Sequence, residues 1–316
     1  MTPMRAAGGF DLQGHRGARG LWPENTLAGF SRALDIGVST LELDCAVTRD
    51  GVVVISHDPV LNPDHTRDAQ GAFLRATGPP ITTLSFTELR QYDVGRLRPG
   101  SEYAARFPEQ QAVDGERIPR LADLYALVAA RGDVSVRFNV ETKVYPDRPE
   151  LTVTPELFAE RLLAVVLEAG MAARTTIQSF DWRTLSFVHR HAPQVATVAL
   201  TDQQGEDDTV WFGRQQASPW LGGLDANDYD GSMAKLVAAS GARIWSPNHL
   251  DVDAQRVAEC HALGLTVVPW TINDASEMHR LIALGVDGLI SDRPDLLRAV
   301  LLAEGLAVPP ASAAAS

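Results

Sequence analysis

Between about residue 10 and residue 303 the chain alternates short β-rich runs with amphipathic helical stretches, eight times over. The β-rich runs are Asp11–His15, Thr40–Val47, Val134–Glu141, Thr175–Ser179, Val195–Leu200, Arg243–Ser246, Thr266–Thr271 and Gly288–Ser291. Helical periodicity falls near 25–37, 121–131, 155–169, 182–192, 232–240, 253–263, 275–284 and 294–303. Strands joined by helical crossovers pair in parallel, and a parallel sheet is covered by its helices. Eight such units are the count that closes a TIM (β/α)8 barrel. The doubly wound open sheet is the competing architecture, but the chain carries no glycine-rich dinucleotide fingerprint.

Local signals agree with this frame. Thr154-Pro155-Glu156 reads as cap, first helical residue and early acid, and Ser291-Asp292-Arg293-Pro294 reads as the opening of the last helix. Residues 1–9 are an N-terminal extension, 10–303 the barrel, and 304–316 a tail expected to be disordered. Residues 59–120 break the alternation, being rich in Pro, Gly, Asp and Arg with one short helical run near Ser85–Gln91. A connection that long is usually functional, so a small inserted subdomain over the barrel mouth is expected there. Residues 202–231 form a second, shorter polar connection.

Charge and cysteine content narrow the function. The net charge of −12 argues against a nucleic-acid partner. No apolar run approaches the ~20 residues of a membrane span, so stable membrane insertion is not expected. The first residues lack the apolar core of a signal peptide, giving an expectation of a cytoplasmic protein, or a periplasmic one if a signal has been removed. Cys45 and Cys260 are the two cysteines, a number that fits a reduced compartment without excluding a disulfide. Only Lys143 and Lys235 are lysines, so a lysine set among polar site residues is less readily surface filler.

The chemistry gathers at the carboxyl ends of the first strands, where barrels of this kind place their active sites. The first strand ends in Gly14-His15-Arg16-Gly17. In the second, Leu41-Glu42-Leu43-Asp44-Cys45, side chains alternate, so Glu42 and Asp44 share the face opposite the apolar set. The apolar face must meet the helices, which turns both carboxylates into the barrel. Two acids so close repel each other unless a cation sits between them, and oxygen ligands suit Mg²⁺ or Ca²⁺. Glu141 joins them from a strand whose Asn139, Glu141 and Lys143 share a face. The competing reading is an acid pair neutralised by a neighbouring arginine, with Glu141 and Lys143 as an ordinary ion pair. Arg137 has the same inward parity and calls for an acidic partner. The run Gly51–Asp58 delivers His57 to the same end, and two histidines, His15 and His57, bracketing a cation suit proton transfer near neutrality. Asp58 either orients His57 or ends the strand.

Five motifs in order resemble the glycerophosphodiester phosphodiesterase family: His15-Arg16-Gly17, Pro23-Glu24-Asn25-Thr26, Glu42-x-Asp44, His57-Asp58 and Asn139-x-Glu141-x-Lys143. Gln178-Ser179-Phe180-Asp181 and Trp270-Thr271-Ile272-Asn273 are similar to its later, less specific motifs, and the likeness spans roughly residues 10–302. The resemblance implies that Glu42, Asp44 and Glu141 hold one divalent cation, Mg²⁺ or Ca²⁺. It implies phosphate binding by Arg16 and Lys143, proton transfer by His15 and His57, and a substrate pocket lined by Gln178 and Trp270. The implied reaction takes a small-molecule glycerophosphodiester to sn-glycerol 3-phosphate and an alcohol through a cyclic phosphate. Lysophospholipase D-like or sphingomyelinase D-like chemistry, a phosphoinositide-type phospholipase C, and a catalytically inactive binding barrel are the alternatives.

Overall fold

A computed structural model describes residues 9–311. Eight strands run parallel around a barrel: β1 (Asp11–Gly14), β2 (Thr40–Val47), β4 (Arg137–Thr142), β5 (Thr175–Ser179), β6 (Ala196–Thr201), β7 (Ile244–Pro247), β8 (Thr266–Val267) and β9 (Gly288–Ser291). A ninth, β3 (Val53–Ile55), lies off this ring and pairs antiparallel with the end of β2. Backbone bonds close the circle between β8 and β9: Asp287 N to Val267 O (2.9 Å), Ile290 N to Pro269 O (3.0 Å) and Ile272 N to Ile290 O (3.0 Å).

Two strands differ from the sequence expectation for identifiable reasons. The run Thr266–Thr271 is regular only over Thr266–Val267, because Pro269 has no N–H to give to a ladder. The run expected from Val134 starts at Arg137, because the Asp133 carboxylate caps a turn by accepting from Ser135 N (2.7 Å) and Val136 N (2.9 Å).

Around the ring lie α1 (Leu27–Ile36), α4 (Leu121–Ala130), α5 (Pro155–Glu168), α6 (Trp182–His191), α7 (Met233–Ala239), α8 (Ala254–Ala262), α9 (Ala275–Leu284) and α10 (Pro294–Ala303). Their inner faces form one continuous core with the outer faces of the strands. On β2, Leu41, Leu43 and Cys45 are fully buried in it, with Phe138 and Val140 of β4 beside them. Helix α1 begins at Thr26, whose hydroxyl accepts from Gly29 N, and buries Phe30, Ala33 and Leu34. Helix α5 is capped by Thr154 as its sequence suggests. Helix α10 is not capped by Asp292, whose carboxylate is used at the barrel mouth; Ser291 Oγ accepts from Arg293 N instead. Inside the barrel the layer beneath the mouth is polar, with Asn139 Nδ2 donating to Gln13 Oε1 (3.0 Å) and Gln178 Oε1 (2.8 Å). Cys45 and Cys260 are buried free thiols. Among the described residues no helix is long and apolar enough to cross a membrane.

Residues 59–120 have a small core of their own, in which Leu61, Ile81, Leu89, Val94 and Ile118 pack with Ala46 and Val54 of the β2–β3 hairpin. Each such side chain contributes roughly 1.5–3 kcal/mol when fully buried, so the segment holds together around the hairpin rather than as loose coil. It contains α2 (Phe86–Leu89), fixed by a Ser85–Glu88 capping box, and α3 (Glu102–Arg106), capped by Ser101, whose hydroxyl accepts from Ala104 N. Beyond α3 the chain crosses to the first and last units of the barrel: Gln111 N donates to Leu21 O (2.8 Å), Gln110 Nε2 to Arg19 O (2.8 Å), and Arg293 Nη1 to Glu109 Oε1 (2.6 Å).

Of the expected tail, residues 304–311 are described and 312–316 lie outside the described residues, as does most of the 1–9 extension. Leu306 and Val308 pack on the barrel core, and Arg298 Nη1 donates to Pro309 O (2.6 Å) and to Gly37 O (3.2 Å).

Candidate active site

The carboxyl ends of the strands surround a cavity of ≈ 1390 Å³, and the insertion contributes Pro59, Val60, Asn62, Tyr103, Arg106 and Phe107 to its wall. Glu42, Asp44 and Glu141 converge on its floor, each offering a carboxylate oxygen within 4.8 Å of the other two. Strand register explains this, because Asp44 pairs with Glu141 and Glu42 with Asn139 across β2 and β4.

The turn after β1 places the next residues. Gly17 adopts φ 88° and its N–H returns to Gly14 O (3.1 Å). A Cβ on Gly14 would lie 2.1 Å from Gly17 O, so only glycine fits there. Arg16, at φ 50°, donates its backbone N–H to Glu42 Oε2 (2.9 Å). Its Nη1 donates to Glu24 Oε1 (2.8 Å), and its Nε lies 3.2 Å from Asp44 Oδ2. Asn25 Nδ2 donates to the same Asp44 oxygen (2.9 Å). Lys143 Nζ sits 2.7 Å from Glu141 Oε1 and 3.1 Å from Asp44 Oδ1.

The acid cluster is under-compensated. Three buried carboxylates face Lys143 and an Arg16 already shared with Glu24. Burial, and next the charge of Asp44, push the Glu42 carboxyl well above its usual range. Burial lifts Glu141 to about 7 against the pull of Lys143. Burial also works against ionised Asp44, yet Lys143 and then Arg16 hold it well below the ordinary value. Asp44 Oδ1 is buried with no hydrogen bond, although Lys143 Nζ is near. A cation-sized deficit, an orphaned carboxylate oxygen and an all-oxygen donor set fit a hard divalent cation.

Both histidines are backed by a carboxylate. His15 Nδ1 bonds Asp292 Oδ1 (2.7 Å), and its Nε2 faces Glu42 Oε2 at 3.9 Å. His57 Nδ1 bonds Asp58 Oδ1 (2.7 Å), and Asp58 Oδ2 accepts from Asn62 Nδ2 (2.6 Å), so Asp58 orients the ring. Burial, and after it the positive charge of Arg19, push His15 down to about 4; burial, with Arg16 and Lys143, does the same to His57. A ring whose Nδ1 is bonded to a carboxylate presents Nε2 for proton transfer.

The remaining predicted residues lie in the same cavity wall. Gln178 Nε2 donates to Glu42 Oε1 (2.6 Å) while its oxygen serves Asn139, so the amide forms the floor under the acids. Trp270 anchors its indole N–H on Ser246 O (3.0 Å) and packs edge-on against Phe180, 5.5 Å between ring centroids. Arg137 has the acidic partner that its inward parity calls for. It lies at the opposite end of β4, half exposed, and that partner is Asp11 (2.8 Å) at the start of β1.

Several site residues escaped the sequence reading. Asp292 belongs to the quartet that opens the last helix, yet it accepts from Arg19 Nε (2.7 Å), Arg19 Nη2 (3.0 Å) and Asn273 Nδ2 (2.7 Å) besides facing His15. Its signal was available in principle, since it directly follows the carboxyl end of β9. Arg19 carries no comparable local signal, whereas Glu24 stands in the Pro23-Glu24-Asn25-Thr26 motif without a role of its own being legible there.

A (β/α)8 barrel whose mouth gathers three carboxylates, two carboxylate-backed histidines, an arginine and a lysine is built for acid–base chemistry on an anionic substrate. The family model described as the glycerophosphoryl diester phosphodiesterase family matches residues 15–296. A glycerophosphodiester phosphodiesterase of Caldanaerobacter subterraneus subsp. tengcongensis is 28% identical over 287 residues, 90% of this chain and 94% of that protein. One from Bacillus subtilis (strain 168) is 27% identical over 90% of this chain and 84% of its own length. Among solved structures, a protein of Silicibacter pomeroyi DSS-3 assigned as a glycerophosphoryl diester phosphodiesterase has a TM-score of 0.84 and 34% identity, over 96% of this chain and 97% of that one. An Oleispira antarctica phosphodiesterase in complex with the product sn-glycerol-3-phosphate shares the fold at a TM-score of 0.65 and 22% identity, over 92% and 95% of the two chains. The chain therefore belongs to the glycerophosphoryl diester phosphodiesterase family and is an enzyme of that class.

Proposed function

We propose that the enzyme hydrolyses small glycerophosphodiesters to sn-glycerol 3-phosphate and an alcohol, with His15 and His57 as the proton-transfer pair. The observation that carries this reading is the placement of two carboxylate-backed imidazoles around one three-carboxylate cluster. Arg16 and Lys143 bind phosphate oxygens, the first through a guanidinium edge and the second as a compact charge. Glu42, Asp44 and Glu141 would hold one Mg²⁺ or Ca²⁺, which when bound supplies electrostatic stabilisation of the charge developing at phosphorus. Trp270 and the adjoining aromatic wall cover the organic part of the substrate.

In the first step one histidine takes the proton of the glycerol 2-hydroxyl, whose oxygen attacks phosphorus. The bond from phosphorus to the alcohol oxygen breaks, and the other histidine protonates the departing oxygen. The histidines then hold the opposite protonation states. Water, deprotonated by the second, opens the cyclic phosphate while the first returns its proton to the 2-oxygen. Asp292 and Asp58 keep each Nδ1 occupied, so that Nε2 is the exchanging atom in both steps. The net −12 charge does not prevent anion binding, because Arg16, Lys143 and the cation dominate the field at short range.

The test is product analysis with sn-glycero-3-phosphocholine and with its analogue lacking the 2-hydroxyl. The expected result is sn-glycerol 3-phosphate and choline from the first substrate and no turnover of the second. Release of glycerol and phosphocholine, or ready cleavage of the deoxy analogue, would overturn the mechanism.

A further inference from the structure

Through α3 the insertion reaches the side of the mouth that holds Arg16. Helix α3 buries no residue of its own in a core, yet Tyr103 from it and Phe107 just beyond it extend into the first barrel unit. The Tyr103 ring packs edge-on against Phe107, with ring centroids 5.3 Å apart. Phe107 lies beneath the Arg19 guanidinium, 4.7 Å from its centroid, and Arg19 Nη1 is 3.4 Å from the Tyr103 hydroxyl. That hydroxyl donates to Glu24 Oε2, while Glu24 Oε1 accepts from Arg16 Nη1 (2.8 Å).

Glu24 is therefore held at both oxygens, one by the insertion and one by Arg16. It is only 8% exposed, so solvent cannot readily replace a missing partner. The Arg16 guanidinium has one hydrogen bond, from Nη1 to Glu24; its Nε lies 3.2 Å from Asp44 Oδ2 without bonding it, and the residue lines the cavity. The backbone at Arg16 is fixed by its bond to Glu42, so the guanidinium direction depends on the side-chain partners alone.

We propose that Tyr103 is a positioning residue that aims Arg16 at the substrate phosphate through Glu24, making docking of the insertion a condition for phosphate binding. The proposal rests on the phosphate role given to Arg16 above. It separates the insertion's function from mere coverage of the mouth, since a single hydroxyl carries the coupling.

The experiment is a double-mutant cycle on the full-length, magnesium-loaded enzyme, using Tyr103→Phe, Arg16→Lys and the pair. Phenylalanine keeps the ring packing and removes only the hydroxyl, with its donation to Glu24 and its longer acceptance from Arg19 Nη1. Kinetics on sn-glycero-3-phosphocholine are read beside calorimetric titration with inorganic phosphate, which requires no turnover. Loss of a hydrogen bond to a buried charge predicts a KM and a phosphate Kd raised roughly 10-fold, with kcat largely retained. In the Arg16→Lys background, where the relay is already cut, Tyr103→Phe should add less than about twofold. Glu24→Gln, which cuts the same relay at its middle, should reproduce the loss of phosphate affinity. Unchanged KM and Kd with a lowered melting temperature would reduce Tyr103 to a structural contact and overturn the proposal. So would an equal loss in both backgrounds. Wild-type enzyme that binds phosphate with this coupling but cleaves no glycerophosphodiester would instead overturn the functional reading.

Discussion

Replacing Asp292 by asparagine separates the two tasks its carboxylate performs. It accepts from both His15 and Arg19, is 2% exposed, and is held far below its ordinary pKa despite burial because Arg19 and His15 surround it. Asp292→Asn leaves the Arg19 guanidinium buried without its counter-charge. Breaking a buried pair in this way costs about 3–5 kcal/mol, which at ~2 °C per kcal/mol for a chain of this size lowers Tm by about 6–10 °C. The amide can also donate its N–H₂ to His15, favouring the wrong tautomer, so kcat should fall by the ~10²–10⁴-fold typical of lost acid–base catalysis. The assay is kcat on sn-glycero-3-phosphocholine and thermal unfolding on the same preparations, in wild-type and His15→Ala backgrounds. With His15 absent, Asp292→Asn should still lower Tm through Arg19 but cost no further kcat. A folded Asp292→Asn enzyme with wild-type kcat would refute the reasoning, as would an undiminished kcat loss in the His15→Ala background.

His57→Ala should lower kcat by ~10²–10⁴-fold with little effect on Tm, and combined with His15→Ala it should lose less than the product of the two; retained turnover in the folded variant would remove His57 from the mechanism. Glu42→Ala should weaken cation binding measured by calorimetry, with activity partly rescued by excess Mg²⁺ or Ca²⁺; identical cation affinity would exclude Glu42 as a ligand. In cation-free protein Glu141 is lifted by burial from 4.5 to about 7, so its protonated form favours the fold below the unfolded value and that contribution disappears as pH rises through about 7. Tm in EDTA should therefore fall across that window, and added cation should raise Tm more at about pH 8 than at about pH 5, where it must displace a proton; a cation effect independent of pH would contradict this.

How much of this was legible in the sequence depended on whether the information was local. The parity of Glu42 and Asp44 against Leu41, Leu43 and Cys45 is a property of one strand, and it assigned the inner face of β2 as the structure has it. The same parity puts Arg137 on the inner face of β4, but alternation within one strand does not name its partner, which comes from β1. Arg137 stands at the amino end of β4, where Asp11 meets it. Asp292 lies 277 residues from His15, and no periodicity links them; its place before Pro294 supplied a sufficient local explanation in the opening of the last helix, which concealed the pairing. Tyr103 and Glu24 are 79 residues apart, on an insertion whose fold is set by a small core rather than by a repeated pattern. Strand limits moved where a proline or an Asx turn overrode β propensity, at Pro269 and Asp133.

Cleavage of glycerophosphodiesters at this mouth, with a cation held by Glu42, Asp44 and Glu141, is tested by the release of sn-glycerol 3-phosphate from sn-glycero-3-phosphocholine and sn-glycero-3-phosphoethanolamine by one enzyme preparation before EDTA, after EDTA, and after addition of Mg²⁺ or Ca²⁺. The expected result is turnover that EDTA abolishes and at least one of the two cations restores. Full turnover in EDTA, or no release of sn-glycerol 3-phosphate under any of the three conditions, would contradict it.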